Sequence, residues 1–376
     1  MMTLKVKSNI RNYEVVFTRD FQFLSDLSRI QPRAVVIDRN VLHYYEDLIS
    51  EHFKVQEVFI FDAKEENKSL ETLGQMYNWL VQKEAKRNLT LVSIGGGITQ
   101  DVTGFVASTL YRGIPWVFVP TTLLAQTDSC IGSKTSINYH RYKNLLGTFY
   151  PPLRIYVNTD FRSTLTDQDY YSGVGEIIKL QLMKDHDRPS PRQLVALMER
   201  CRHDNDILDG VVRENLATKI AYMENDEFDL GRRNLLNYGH CFGHAIETSS
   251  AYYVPHGIAV NIGIIFANAL SMKRGFLKEK LFMEVTESLN IPNIPLKLQE
   301  EHFDHDMLLE SMKNDKKRTG ENLTVIIPDG EFRPHKINDV RDVEFSWTLE
   351  YVKKLLFGEK VLDMKFHEDV LPSTLS

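Results

Sequence analysis

The sequence predicts an α/β protein in two parts, an N-terminal doubly wound, Rossmann-like parallel-sheet domain over residues 1–155 and a C-terminal, mostly α-helical domain over 156–360. In the first part, short apolar runs alternate with amphipathic helical stretches, as in βα repeats whose strands are buried on both faces. From about Asp160 the pattern changes to long helical segments, with little strand signal apart from Leu323 to Ile327. Pro151-Pro152 lies near that change and fits a boundary between about 150 and 160. Mixed charge and a Pro-Ser-Thr end make 361–376 a loosely held tail.

The elements follow in order. Residues 1–7 alternate apolar and polar side chains like a strand. Arg33 to Asp38 reads as a buried parallel strand ending in Asp38 and Asn40. Ser69 to Lys86 has helical periodicity through Leu70, Leu73, Met76, Tyr77 and Leu80. Leu89 to Ile94 is the next strand, followed at once by Gly95-Gly96-Gly97 and a helix to about Tyr111. Trp116 to Val119 is a further strand, ending in Pro120-Thr121-Thr122. Such sheets bind ligands outside the carboxyl ends of their strands.

At 376 residues, with 43% hydrophobic and 26% charged residues, the chain has the composition of an ordinary globular protein. A net charge of −6 argues against nucleic acid as the main partner. No run approaches the length of a membrane span, and the N-terminus lacks a signal-peptide core. Cys130, Cys201 and Cys241 are few and odd in number, which fits a reducing cytoplasm.

The densest chemistry lies in Arg233 to His244, followed by His256-Gly257. His240 and His244 are four apart, so a helix stacks them on one face. Gly239 and Gly243 remove bulk beside them, which admits another backbone or a ligand. The histidines could be ordinary buried, hydrogen-bonded residues. Alternatively, with Asn237, Arg233 and His256 nearby and a carboxylate from Gly175-Glu176, they supply the two histidines and one acid of a catalytic zinc site. Cys241 points about 100° away from His240 on a helix and is expected to pack.

Gly95-Gly96-Gly97 is either a tight turn or, between strand and helix, a cradle for a pyrophosphate. Asp38, Asn40 and Glu65 to Lys68 stand where a dinucleotide's ribose and adenine would lie. Arg112, Asp128, Lys134, Lys143 and Asn144 fall in or beside a segment otherwise apolar or small. They are either unrelated surface residues or a pocket for a phosphorylated, acidic substrate.

Together these stretches resemble the dehydroquinate synthase family, the sugar phosphate cyclases. The resemblance runs from about Asp38 to Lys317 and includes Glu65 to Thr72, the triple glycine, Val119 to Gln126, Lys143-Asn144, Gly175-Glu176, the Leu236 to His240 block and Asp315 to Lys317. It implies metal ligands at Glu176, His240 and His256, holding zinc or cobalt. It implies NAD contacts at Asp38, Asn40, Glu65, Lys68, Gly96, Gly97, Asp101, Thr121, Thr122, Lys143 and Thr164. Substrate contacts fall on Arg112, Asp128, Lys134, Asn144, Lys179, Lys219, Arg233, Asn237, His244 and Lys316 of the 316–317 pair. His244, Asp229, Lys179 and Asn237 take catalytic roles, with Asp229 standing where the family carries a glutamate general base.

The implied reaction oxidises a secondary hydroxyl of a seven-carbon sugar acid phosphate with bound NAD and then eliminates phosphate. The ketone is reduced again, the ring opens, and an intramolecular aldol addition closes a carbocycle. The resemblance also implies a cytoplasmic homodimer in which Arg112 reaches the neighbour's phosphate pocket. Two departures stand out. The family's Gly-Gly-Gly-Val-Val-Gly-Asp continues here as Ile98-Thr99-Gln100-Asp101, which is expected to add bulk near the pyrophosphate. Its Ser-Val-Gly-Gly-Lys-Thr-Gly is Cys130 to Ser136, with Ser133 and Ser136 near the phosphate pocket. These differences point to a divergent paralogue. The alternatives are a cyclase of the 2-deoxy-scyllo-inosose or 2-epi-5-epi-valiolone type, acting on another sugar phosphate, and a metal-dependent polyol dehydrogenase.

Overall fold

The computed structural model describes residues 2–83, 85–140, 142–313 and 322–358. Lys316 and the expected tail from 361 lie outside them. Two compact units form, one from 1–165 with 223–229, the other from 166–222 with the chain from 230 onward. The boundary expected at 155 would cut a strand of the sheet, so the first unit continues past it to Leu165.

Strands of the first unit are, in chain order, β1 (Met2–Val6), β2 (Tyr13–Phe17), β3 (Arg33–Asp38), β4 (Val58–Phe61), β5 (Thr90–Gly95), β6 (Trp116–Pro120), β7 (Lys134–Tyr139), β8 (Tyr142–Phe149) and β9 (Arg154–Val157). The sheet has the order β1-β2-β9-β6-β5-β3-β4. It is parallel throughout except for the antiparallel β1–β2 pair. Every residue of β5 and β6 is buried, as befits central strands covered on both faces. The chain leaves β3 outward to β4 and returns to β5 on the other side, so the order reverses between β3 and β5. That reversal is where a doubly wound sheet opens its crevice. β7 and β8 form a separate antiparallel hairpin.

The segment 223–229 is tied to this unit by Glu227. Its carboxylate accepts hydrogen bonds from Ser8 Oγ and Asn9 N, each at 2.6 Å, and from Ser133 Oγ at 2.8 Å.

The second unit is helical apart from the hairpin β10 (Leu323–Pro328) and β11 (Pro334–Val340). The helix His256–Lys273 is its axis, buried at every residue from Gly257 to Met272. It is apolar nearly all round because neighbours cover it on all sides. The helices Asp167–Leu182 and His240–Ser249 press against it closely enough to leave no room for a side chain. A Cβ on Gly175 would strike the Gly257 carbonyl, and one on Gly257 the Ser172 carbonyl. Gly243 likewise faces the Ala259–Val260 backbone, so its missing side chain admits a helix rather than a ligand. Among the described residues, no helix is long and apolar enough to cross a membrane.

Candidate active site

Gly239 sets the geometry of the second unit's site. Its φ of 76° lies in the left-handed region, where a side chain is disfavoured, and it turns the chain from the Arg232–Asn237 turn into the helix His240–Ser249. His240 and His244 then follow one another along that helix, edge to face with ring centroids 5.4 Å apart. His256 opens the next helix and lies 5.3 Å from His240 and 5.5 Å from His244. One ring nitrogen of each histidine lies within 4.8 Å of the others.

Glu176 projects into this cluster from the middle of the helix Asp167–Leu182 and is fully buried. Its Oε1 is 3.5 Å from His240 Nε2 and 3.4 Å from His256 Nε2. No hydrogen bond of good geometry satisfies either carboxylate oxygen among the described residues. A buried carboxylate whose Oε1 faces two imidazole nitrogens offers, with them, a ligand set that a divalent cation would fit. The outer contacts fit the same reading. His256 Nδ1 lies 2.9 Å from Glu247 Oε2, and His240 Nδ1 lies 3.2 Å from the Tyr238 carbonyl. Metal-ligating histidines are oriented in this way by a carboxylate or carbonyl behind the ring.

Lys179 is 1% exposed, with its Nζ 2.5 Å from Glu176 Oε2. Burial alone would raise the Glu176 pKa, but the Lys179 ammonium and His256 reverse this and hold it down at about 2. Burial would lower His256, and the Glu247 and Glu176 carboxylates outweigh it and raise the ring's pKa. Losing Lys179 alone would leave a buried carboxylate uncompensated, a defect of about 3–5 kcal/mol.

A cavity beside the histidines is lined by Asn237, His240, Cys241, His244, Val325 and Lys336, among others. Cys241, expected to pack, is half-buried on that wall. Asn237 donates from Nδ2 to the Asn234 carbonyl at 2.7 Å. Arg233 and Lys219 are buried cations of the same unit. Glu247 and Lys336 escape the sequence reading. Glu247 follows His244 by three positions, so its place on the same helix face is the signal that could have found it.

The first unit gathers the residues expected to hold a dinucleotide at the carboxyl ends of its central strands. Asp38 ends β3 and accepts from Asn40 N at 2.8 Å. Gly95 ends β5 and pairs with Pro120 at the end of β6, while Thr121 N donates to the Gly95 carbonyl at 3.0 Å. A Cβ on Gly96 would lie 2.9 Å from Thr122 Cγ2, and Gly97 opens the helix Gly97–Thr109. Thr164 pairs with the Tyr45 hydroxyl at 3.1 Å. Glu65 accepts from Asn138 Nδ2 at 2.9 Å, and Lys143 Nζ stands 3.9 Å away.

Lys68 is buried, with Nζ 2.5 Å from Asp101 Oδ2 and 2.6 Å from Asn144 Oδ1. Burial pushes the Asp101 carboxyl above the usual range, even with Lys68 opposing. Gln100 is a correction. Its side chain is buried in the protein, donating from Nε2 to the Ser129 carbonyl at 2.8 Å and accepting from Ser129 Oγ at 3.0 Å. Asp128 is half-buried on the neighbouring turn Ala125–Ser129, and Arg112 is exposed with a φ of 64°. Lys134 Nζ lies 2.6 Å from Asp229 Oδ2, which joins two residues expected to have separate roles.

Fold and site thus define a class of protein, a doubly wound α/β unit joined in one chain to a helical unit carrying a histidine–carboxylate cluster. Residues 58–172 match the model of the 3-dehydroquinate synthase N-terminal region, and 173–318 that of its C-terminal region. The 3-dehydroquinate synthase of Streptococcus pyogenes serotype M3 is 32% identical over 333 residues, 87% of this chain and 92% of that protein. The chain belongs to the 3-dehydroquinate synthase family. Among solved structures, the 2-epi-5-epi-valiolone synthase of Streptomyces hygroscopicus, with NAD+ and Zn2+ bound, is similar at a TM-score of 0.80 and 24% identity, covering 91% of this chain and 97% of that one. A 2-deoxy-scyllo-inosose synthase, complexed with carbaglucose-6-phosphate, NAD+ and Co2+, gives 0.78 and 23%, covering 94% and 100%.

Proposed function

We propose that this chain is a 3-dehydroquinate synthase-like carbon–oxygen lyase. It converts a seven-carbon sugar acid phosphate to a carbocycle with loss of phosphate, using NAD catalytically and a divalent metal, zinc or cobalt. The observation that carries this reading is the approach of His240 and His256 to the buried Glu176 Oε1, at 3.5 and 3.4 Å, in a chain of this family. The cofactors of the two solved synthases support the same pair here. When bound, NAD takes up and returns a hydride within each turnover, and the metal acidifies and polarises the oxygen at the reacting carbon.

The chain's own residues do the rest. Lys179 keeps Glu176 ionised. His244, the exposed histidine of the cluster, moves a proton near neutral pH. Lys134 and Asn144 hold the phosphate that leaves, with Arg112 of the partner subunit completing the pocket in the dimer proposed below, and Asp229 balances the Lys134 charge until phosphate competes for it. Arg233 and Lys219 hold the substrate carboxylate, the guanidinium as a bidentate fork.

Because NAD is recycled, phosphate release should continue through many turnovers with no net NADH absorbance. Stoichiometric NADH would instead favour a polyol dehydrogenase. A related cyclase acting on a sedoheptulose or glucose phosphate is favoured by one observation. Ser133 and Ser136, where the family carries glycine, both make side-chain hydrogen bonds beside the phosphate candidates. Assaying phosphate release over a panel of seven- and six-carbon sugar phosphates separates the two.

The proposed assembly is a homodimer in which the exposed Arg112 serves the partner's phosphate pocket. Sedimentation at micromolar concentration should give a dimer, and a fully active monomer would overturn it.

A further inference from the structure

We infer that Ser136 is a positioning residue, which turns the Asn144 amide into a pure hydrogen-bond donor toward the substrate's phosphate. The inference rests on the reading of Asn144 as a phosphate contact. Ser136 Oγ lies 2.9 Å from Asn144 Oδ1 and 3.2 Å from Asp101 Oδ2. A hydroxyl carries one hydrogen, and Asn144 is the nearer acceptor. Asp101 already receives the Ser136 backbone N–H at 3.1 Å.

Lys68 Nζ, which can only donate, sits 2.6 Å from the same Asn144 oxygen and so fixes which end of the amide is the carbonyl. With Oδ1 committed to Lys68 and Ser136, the amide offers an incoming ligand its Nδ2 hydrogens. That polarity suits an anion. The backbone reinforces the pose, for Asn144 has a φ of 51° and its N–H donates to Asn138 Oδ1 at 2.9 Å. Asparagine is among the side-chain-bearing residues that take this left-handed conformation most readily, so the pose is held at little cost. Ser136 is not among the left-handed positions, whereas Ser133 is, with a φ of 62°. The serine at 136 therefore contributes its hydroxyl, and a glycine there would keep the backbone bond to Asp101 but lose the one to Asn144.

The test uses the full chain, inorganic phosphate as the calorimetric probe, and steady-state assay on the sugar phosphate that the wild type turns over. Ser136→Ala and Ser136→Gly should each weaken phosphate binding about fivefold and raise KM by a similar factor, with kcat within about twofold. NAD affinity should hold, because the backbone bond to Asp101 survives, and Ser136→Thr should restore phosphate binding. In an Asn144→Ala background, Ser136→Ala should cost nothing further, since the oxygen it orients is gone. Unchanged phosphate affinity in Ser136→Ala, or the same loss in both backgrounds, would overturn the inference. A wild type that neither binds inorganic phosphate nor releases it from any sugar phosphate sinks the functional reading first, before any variant is made.

Discussion

His256→Ala protein should purify with its divalent metal lost and turnover abolished, while NAD binding stays near the wild-type level. Two facts set this expectation. The ring's Nε2 is 3.4 Å from Glu176 Oε1, so the variant removes one of the three proposed ligands. The residues expected to hold NAD all belong to the first unit, which contains neither His256 nor Glu176. Glu247→Gln should be milder, because it removes the carboxylate behind the ring and leaves the ligand itself. Metal affinity should fall by about 10–100-fold, the usual cost of an outer partner. Equal metal by elemental analysis in wild type and His256→Ala would refute the ligand assignment, whatever the activity.

Arg233→Ala should lower kcat/KM for the seven-carbon acid phosphate by about 100-fold or more, roughly 2–4 kcal/mol of charge-assisted hydrogen bonding. Arg233 and Lys219 are only 5% and 7% exposed, so a charge-assisted bond from either to a bound anion would be poorly screened by water. A substrate carboxylate is an anion of the right shape for the guanidinium fork. The same substitution should matter far less for a sugar phosphate without a carboxylate. If the wild type prefers sedoheptulose 7-phosphate or glucose 6-phosphate over the acid, the dehydroquinate assignment fails, and Ser133 and Ser136 become the first specificity determinants to vary.

Legibility in the sequence followed the physics of each element. β5, the triple glycine and the helix after it were readable because a strand buried on both faces is dominated by apolar residues, here Leu91, Val92 and Ile94, and the turn needs small ones. The β7–β8 hairpin was not, since both of its faces are partly exposed and its alternation is blurred by polar residues. β9 was hidden for a related reason, as its exposed Arg154 and adjoining prolines resemble a linker until its pairing with β2 and β6 is seen. At the candidate site, spacing along one helix exposed His240 and His244. The pairing of Lys134 with Asp229 could not be read so, because it joins residues far apart in the chain. Gln100 shows the opposite limit. Its position was plain, but only packing decides that its amide turns to Ser129 and not to a ligand.

The assignment of 223–229 to the sheet unit, through Glu227, has a genetic consequence. The coding sequence cannot be divided at one point into two self-sufficient modules. A fragment ending at Leu165 would lack the stretch that carries Glu227 and Asp229, leaving Ser133 and Lys134 without the carboxylates they meet here. The complementary fragment would retain that stretch with no sheet to receive it. Recombination or domain grafting within this family should therefore succeed when the exchanged blocks carry 223–229 together with its receiving residues at 8–9 and 133–134, and should fail when they separate them.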